Sequence, residues 1–405
     1  MAGTLKHFKM KNSIDYSNNT ARQHLAEKYA QIRRHSEEIC KPLSTEDYVV
    51  QPVADVSPPK WHLGHTTWFF ETFILLPHFP GYKLFNPQFN FVFNSYYETV
   101  GARVIRTDRG NLSRPSVSEV YKYRKYVDEN MCRYLAGSSY TEDVEPLLQL
   151  GLNHEQQHQE LLLTDIKYIL GHNPLFPSYK ENVMPKKSDN QEFKMISVKE
   201  GVYEIGYQGN GFSFDNELGR HKVYLNEFEI AHRLVTNGEY LKFMEDGAYS
   251  DFRYWHSEGW EWVKQQQVKA PMYWYFIDGK WMHYDLAGLN DINWNDDLCH
   301  VNFFEASAFA AWKGMRLPTE AEWETASHLF NWGSRWEWTN SAYLPYPGYK
   351  KEAGAVGEYN GKFMVNQMVL RGASEVTPIG HSRNTYRNFF QTHLKWQYTG
   401  IRLAK

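Results

Sequence analysis

Two unlike domains are predicted for this chain, an N-terminal bundle of helices followed by an irregular α+β unit. Three observations predict them. The 405 residues exceed what one hydrophobic core usually organises. Apolar residues recur with helical period up to about Leu170, and after Phe193 that period gives way to short alternating runs broken by Gly, Asn and Asp. A composition of 42% hydrophobic and 16% aromatic residues supplies enough apolar surface for two cores.

In the first half, four segments carry apolar stripes with charged opposite faces, Ala21–Glu38, Trp61–Leu75, Val117–Leu135 and Val144–Leu170, the number a four-helix bundle needs. Between the second and third lies an aromatic, arginine-bearing loop from Pro80 to Pro115. Loops of that length in compact domains are functional or disordered, and the aromatic content argues against disorder. The Pro- and polar-rich stretch after Gly171 reads as a linker. The domain limits are therefore set at 1–175, 176–194 for the linker, and 195–405. In the second half, strands are predicted at Met195–Val198, Val202–Gly206 and His221–Ile230. Helices are predicted at Thr236–Asp246 and Asn302–Lys313, with tryptophans crowding Trp255 to Trp294.

Charge and composition exclude several functions. A formal net charge of −3 with interspersed acids and bases leaves no electrostatic footprint for nucleic acid or an anionic membrane. No run reaches the roughly 18 apolar residues of a membrane span, and the polar start, Lys6-His7-Phe8-Lys9, lacks the apolar core of a secretory signal. A cytoplasmic protein acting on small molecules is expected. The three cysteines, Cys40, Cys132 and Cys299, fit reduced thiols better than a disulfide framework. No signature of oligomeric state is legible.

The most specific local pattern is His154-Glu-Gln-Gln-His158. On a helix, positions i and i+4 aim two imidazoles at one point, which is half a metal site. A lone pair of this kind is by default a surface or core accident. A second cluster, Trp61-His62-Leu63-Gly64-His65, offers the missing third ligand from another helix, and spacing alone does not choose between His62 and His65. Gln157 borders the same face. Glu155, Glu160 and Asp165 are candidates for orienting imidazole N–H groups, although the solvated-face reading is the stronger prior for all three acids.

These stretches carry a resemblance. Ser57 through Glu71 and Asn153 through Glu160 resemble the DinB-type domain of the sulfoxide synthases of ergothioneine biosynthesis, the EgtB family. Ala306–Trp312, Met315–Glu324, Trp336–Thr339, Leu370–Gly372 and Gly400–Arg402 resemble the formylglycine-generating-enzyme (sulfatase-modifying) fold, a C-type-lectin-like α+β domain. The resemblance implies a non-haem Fe(II) site held by His65, His154 and His158, with His62 outside the ligand set. The implied substrates are hercynine (Nα-trimethylhistidine), cysteine and O2. Independently of the family, three neutral imidazoles would leave open positions on an ion for a thiolate and dioxygen.

Asn94-Ser95-Tyr96-Tyr97-Glu98 resembles the paired tyrosines of the cysteine-using subgroup, where a phenol donates a proton and steers the reaction toward C–S bond formation. Tyr97 is favoured, with Tyr96 as alternate. Among Arg103, Arg106, Arg109 and Arg114, Arg103 is preferred for the carboxylate of the thiol substrate. Arg387-Asn388-Phe389-Phe390-Gln391 resembles the segment lining the betaine pocket. Aromatic faces and amide oxygens suit a quaternary ammonium, so Gln157, Asn388, Phe389 and Phe390 are its expected contacts.

Other readings differ in what they require. Ovothiol-type or selenoneine-type synthases would use another acceptor or donor. A zinc site in a DinB-type bundle would activate a thiol without oxygen chemistry. A lectin-like binding protein would leave the histidine set without a role. The formylglycine-generating oxidase needs cysteines late in its fold, and none follows Cys299.

Overall fold

The computed structural model describes residues 16–180, 192–351 and 360–405. Most of the expected linker, residues 181–191, lies outside the described residues. The four bundle helices are α1 (Tyr16–Cys40), α2 (Pro59–Phe70), α3 (Val117–Ala136) and α4 (Glu145–Gly171). Their starts follow from local chemistry. Proline stands in the first turn of α2 and of α4, where its missing N–H costs nothing. At α3, the Ser116 hydroxyl accepts from the Glu119 N–H while the Glu119 carboxylate accepts from the Ser116 N–H.

Helix α2 departs from the amphipathic expectation, since every residue from Pro59 to Phe70 is buried. The cause is position. This helix sits at the centre and packs against α3, α4 and the aromatic loop, so it has no face left for water. It runs on through a π-helical turn, Glu71–Leu75. There the buried Glu71 carboxylate accepts from the Tyr82 hydroxyl (2.6 Å), the Tyr123 hydroxyl (2.5 Å) and the Phe85 N–H (3.1 Å), pinning the start of the aromatic loop to the bundle.

Two glycines set the spacing around the histidines. A Cβ on Gly64 would meet the Phe93 ring at 2.1 Å, so the short helix Phe89–Phe93 can press against α2 only because residue 64 lacks a side chain. On α4, a Cβ on Gly151 would meet Phe69 at 2.7 Å, which lets α2 and α4 approach closely one turn before His154.

A buried ion network ties the bundle together beneath that turn. Glu155 accepts from Arg33 Nη1 (2.9 Å), Arg124 Nη2 (2.6 Å) and Ser36 Oγ (2.6 Å), joining α4 to α1 and α3. Burial alone would push its carboxyl up, but Arg124 and Arg33 outweigh that and hold it down at about 2. The solvated-face expectation for Glu155 and Asp165 is corrected here. Both are buried because α4 is enclosed by α1 and α2 on one side and by the second domain on the other.

The second domain has short sheets. Strands β1 (Met195–Val198) and β4 (Phe228–Ala231) pair antiparallel, as do β2 (Gly201–Ile205) and β3 (His221–Leu225). The expected run His221–Ile230 is thus two strands, broken at Asn226-Glu227. Helices α5 (Asn237–Glu245) and α7 (Phe303–Trp312) are capped by Thr236 and Asn302. The tryptophan-rich stretch between them holds α6 (Ser257–Gln266) and a three-stranded sheet of β5 (Trp274–Ile277), β6 (Lys280–Asp285) and β7 (Gly288–Asp291). After α8 (Glu320–Ala326), a four-stranded sheet in the order β10-β9-β8-β11 closes the fold. Its strands are β8 (Trp336–Ala342), β9 (Met368–Gly372), β10 (Asn388–Phe390) and β11 (Thr399–Gly400).

The two domains meet along α4. Gln157 donates to the Tyr386 hydroxyl (2.5 Å), and Glu160 accepts from Thr377 Oγ1 (2.6 Å) and the Trp336 indole. Asp165 accepts from the Trp396 indole (3.0 Å), and Lys167 donates to His300 Nε2 (2.9 Å). Among the described residues no helix is long and apolar enough to cross a membrane.

Candidate metal centre

The structure brings His65, His154 and His158 together. One ring nitrogen from each lies within 4.8 Å of the others. His65 Nε2 stands 3.2 Å from His154 Nε2, and the three ring centroids are 4.7–4.9 Å apart. His65 and His154 are fully enclosed, whereas His158 is partly exposed and marks the open side.

His62 does not join them. Its Nε2 bonds Asp165 Oδ2 at 3.0 Å and its Nδ1 contacts His158 Nδ1 at 2.8 Å, placing it behind His158. The sequence could not separate His62 from His65, because both lie on one face of α2. The separation comes from the backbone carbonyl of Phe93. It accepts from His65 Nδ1 at 2.6 Å, so that Nε2 of His65 carries the lone pair.

The surroundings keep these imidazoles neutral. His65 lies stacked between the Trp61 indole (centroids 4.6 Å, 12°) and the Trp68 indole (5.5 Å, 17°). Burial pushes all three imidazoles well below the ordinary histidine range, to about 3 for His154, and for His65 and His158 the neighbouring His154 adds to the effect. Buried nitrogen donors that resist protonation and converge on one point fit a borderline divalent metal.

A pH dependence follows. Between pH 6.5, the ordinary value, and about 3, the unfolded His154 binds a proton that the folded one refuses. Unfolding therefore becomes easier as pH falls, by about 1.4 kcal/mol per pH unit per imidazole. Glu155 acts in a different window. Its stabilisation is complete above the ordinary 4.5 and is lost only as pH falls toward about 2. The metal-free protein should accordingly melt at steadily lower temperature from about pH 6.5 to 4.5. A melting temperature flat across that interval would contradict the neutral cluster.

Around the cluster, Tyr97 is buried against Trp68 (5.5 Å), Phe69 (6.5 Å) and Phe73 (5.1 Å). Trp68 and Phe69 in turn touch His65 and His154, so the Tyr97 ring lies one aromatic layer from the histidines. Tyr96 stacks on Tyr97 (4.7 Å, 25°) and turns its other side to the second domain, against Phe363 and beneath Lys362 Nζ.

Arg103 is a third exposed and pairs with Glu98 at 2.5 Å. Arg109 is the arginine placed against the cluster, its Cζ 3.4 Å from the centroid of the Trp61 ring. It donates to the Ser57 and Ser95 hydroxyls at 2.9 and 3.0 Å, and its buried Nε has no partner among the described residues. Desolvation, with Arg106 nearby, pulls its guanidinium down to about 9. Nothing in the spacing of the four arginines distinguishes Arg109, because its burial depends on how the loop folds over Trp61.

In β10, Phe389 stacks on Tyr343 (4.1 Å, 11°), and Phe390 meets Trp396 edge-on (5.6 Å, 81°). The Asn388 side chain accepts from the Phe389 N–H (2.9 Å). Gln157 is met across the boundary by Tyr386, two residues before Asn388. Tyr386 and Trp396 carried no signal in the sequence, since each is a single aromatic in an aromatic-rich segment.

Residues 28–162 match the model of the DinB superfamily, and residues 180–329 match that of the sulfatase-modifying factor enzyme 1-like domain. The chain is 28% identical over 307 residues to a hercynine oxygenase of Mycolicibacterium smegmatis, covering 63% of this chain and 70% of that protein. It is 27% identical over 303 residues to a hercynine oxygenase of Mycobacterium tuberculosis, covering 62% and 70%. To ergothioneine biosynthesis protein 1 of Schizosaccharomyces pombe it is 24% identical over 257 residues, covering 53% of this chain and 30% of that protein. A DinB-superfamily bundle is thus followed along this chain by a sulfatase-modifying-factor-like domain, and the chain is similar to hercynine oxygenases over 62–63% of its length.

Proposed function

We propose that this protein is an iron- and dioxygen-dependent oxidoreductase that joins the sulfur of cysteine to the imidazole C2 of hercynine as a sulfoxide. The observation that carries the reading is the convergence of three neutral imidazole nitrogens, from the enclosed His65 and His154 and from His158 on the open side. A ferrous ion held by these residues would supply open positions for a thiolate and for dioxygen, and the electrons that activate dioxygen. The overall change balances: the C2–H and S–H bonds are lost, a C–S bond forms, one oxygen atom goes to sulfur and the other leaves as water.

The remaining roles belong to the chain. Arg109 is read as the anchor for the thiol substrate's carboxylate in preference to Arg103, because a buried guanidinium whose hydrogen bonds among the described residues go to serine hydroxyls suits an incoming anion, whereas Arg103 already has Glu98. Tyr97 is read as the proton donor, enclosed by Trp68, Phe69 and Phe73 so that water does not compete. Tyr96, facing the second domain, supports it. The aromatic faces of Phe389 and Phe390, with the amides of Gln157 and Asn388, are assigned to the trimethylammonium.

Anaerobic loading with Fe(II), followed by oxygen-uptake measurement and mass spectrometry of the products, tests the reading. The acceptor is varied between hercynine and histidine, and the donor between cysteine, γ-glutamylcysteine and a selenium compound. Hercynine with cysteine is expected to consume dioxygen and give the sulfoxide. Turnover with zinc and no oxygen uptake would replace the proposal with thiol transfer. Tyr97→Phe is expected to divert product toward cysteine sulfinic acid, with the sulfoxide fraction reduced on the order of 100-fold; an unchanged product ratio would remove Tyr97 from proton transfer.

A further inference from the structure

We infer that Trp396, in the second domain, fixes the metal-binding form of His158 through Asp165 and His62, so that the centre is completed across the domain boundary. The inference follows from donor and acceptor rules applied to one chain of contacts. A carboxylate only accepts, so the 3.0 Å contact between His62 Nε2 and Asp165 Oδ2 places the His62 proton on Nε2. With its single proton on Nε2, His62 accepts at Nδ1, and the 2.8 Å contact to His158 Nδ1 then has His158 donating from Nδ1. The lone pair of His158 is thereby left on Nε2.

Asp165 is itself held from both domains. The Ser57 backbone N–H donates to Oδ2 (2.8 Å), and the Trp396 indole N–H donates to Oδ1 (3.0 Å). His62, Asp165 and Trp396 are each at most 5% exposed, so water offers little competition for these contacts. His65 contrasts with this arrangement, since it is oriented by a carbonyl of its own domain. Trp396, Asp165 and His62 are thus positioning residues, acting on the centre through His158. The inference rests on the metal reading of the three histidines and not on the substrate.

Two measurements test it. In the metal-free wild-type protein, long-range 15N–1H spectra of labelled histidine should show His62 protonated on Nε2 and His158 on Nδ1. A His158 proton on Nε2 would overturn the relay, whether or not metal binds. In the second measurement, Co(II) affinity is obtained from absorption titrations of full-length protein, with melting curves to confirm folding. Asp165→Asn is expected to weaken binding about 10–100-fold, and Trp396→Phe about 5-fold or more.

Trp336→Phe is the matched control. It removes the same atoms and another indole bond to a carboxylate of α4, that of Glu160, which is not joined to a ligand histidine. Its affinity should stay within about twofold of wild type. Equal losses from the two tryptophan variants, or an unchanged Trp396→Phe, would overturn the contribution of the second domain. Wild-type protein that binds no Co(II) would defeat the metal reading itself, and the tautomer spectra would still decide the relay.

Discussion

Alanine at His65, His154 or His158 is expected to reduce affinity for a divalent metal by more than about 100-fold and to remove turnover in the same proteins. The magnitude follows from comparison with residues behind the ligands, whose loss alone typically costs about 10–100-fold. Each of these histidines offers one of three nitrogen donors within 4.8 Å, and among the described residues no carboxylate joins the converging group to take over. His62 lies nearest, but its two nitrogens are engaged by Asp165 and His158. Metal content after anaerobic reconstitution, measured beside oxygen uptake, checks the expectation. Wild-type content and turnover in all three variants would refute the site.

Glu155→Gln should give the largest loss of stability. Two guanidiniums, those of Arg33 and Arg124, are buried and meet on the Glu155 carboxylate. A neutral amide leaves buried positive charge without its counter-ion, and breaking a buried pair in this way costs about 3–5 kcal/mol. Arg33 retains Asp128 at 2.7 Å and Arg124 retains Glu37 at 3.0 Å, but those acids lie nearer the surface and only partly compensate. Urea unfolding of the metal-free protein reads the change directly. A loss under about 1 kcal/mol would mean that Asp128 and Glu37 carry the network. Because Glu155 adjoins His154 in sequence, the variant should also bind metal less tightly even where it remains folded.

How much of this was legible in the sequence depends on the range of the interaction. Helical period alone located α1, α2, α3 and α4, and the Thr236 and Asn302 caps located two helices of the second domain, because those signals are local. The burial of α2 on all sides was not legible, since it depends on what surrounds the helix. His154 and His158 were readable as a pair from their spacing. The choice of His65 over His62 was left to a resemblance, and the structure supplies its physical reason in the Phe93 carbonyl, 28 residues further along the chain. Arg109 was visible only as one of four arginines, because desolvation is a property of the folded loop. Tyr386 and Trp396 act across the boundary between domains, where local pattern carries no information.

Helix α4 serves two interiors at once: its middle turns hold His154, Glu155 and His158, and one side of it seats Gln157, Glu160, Asp165 and Lys167 against the second domain. Transplanting the bundle as a freestanding metalloprotein scaffold would strand those polar groups at a raw, newly wetted surface. Engineers wishing to borrow the three-histidine chemistry must therefore carry both halves or rebuild that side of the helix.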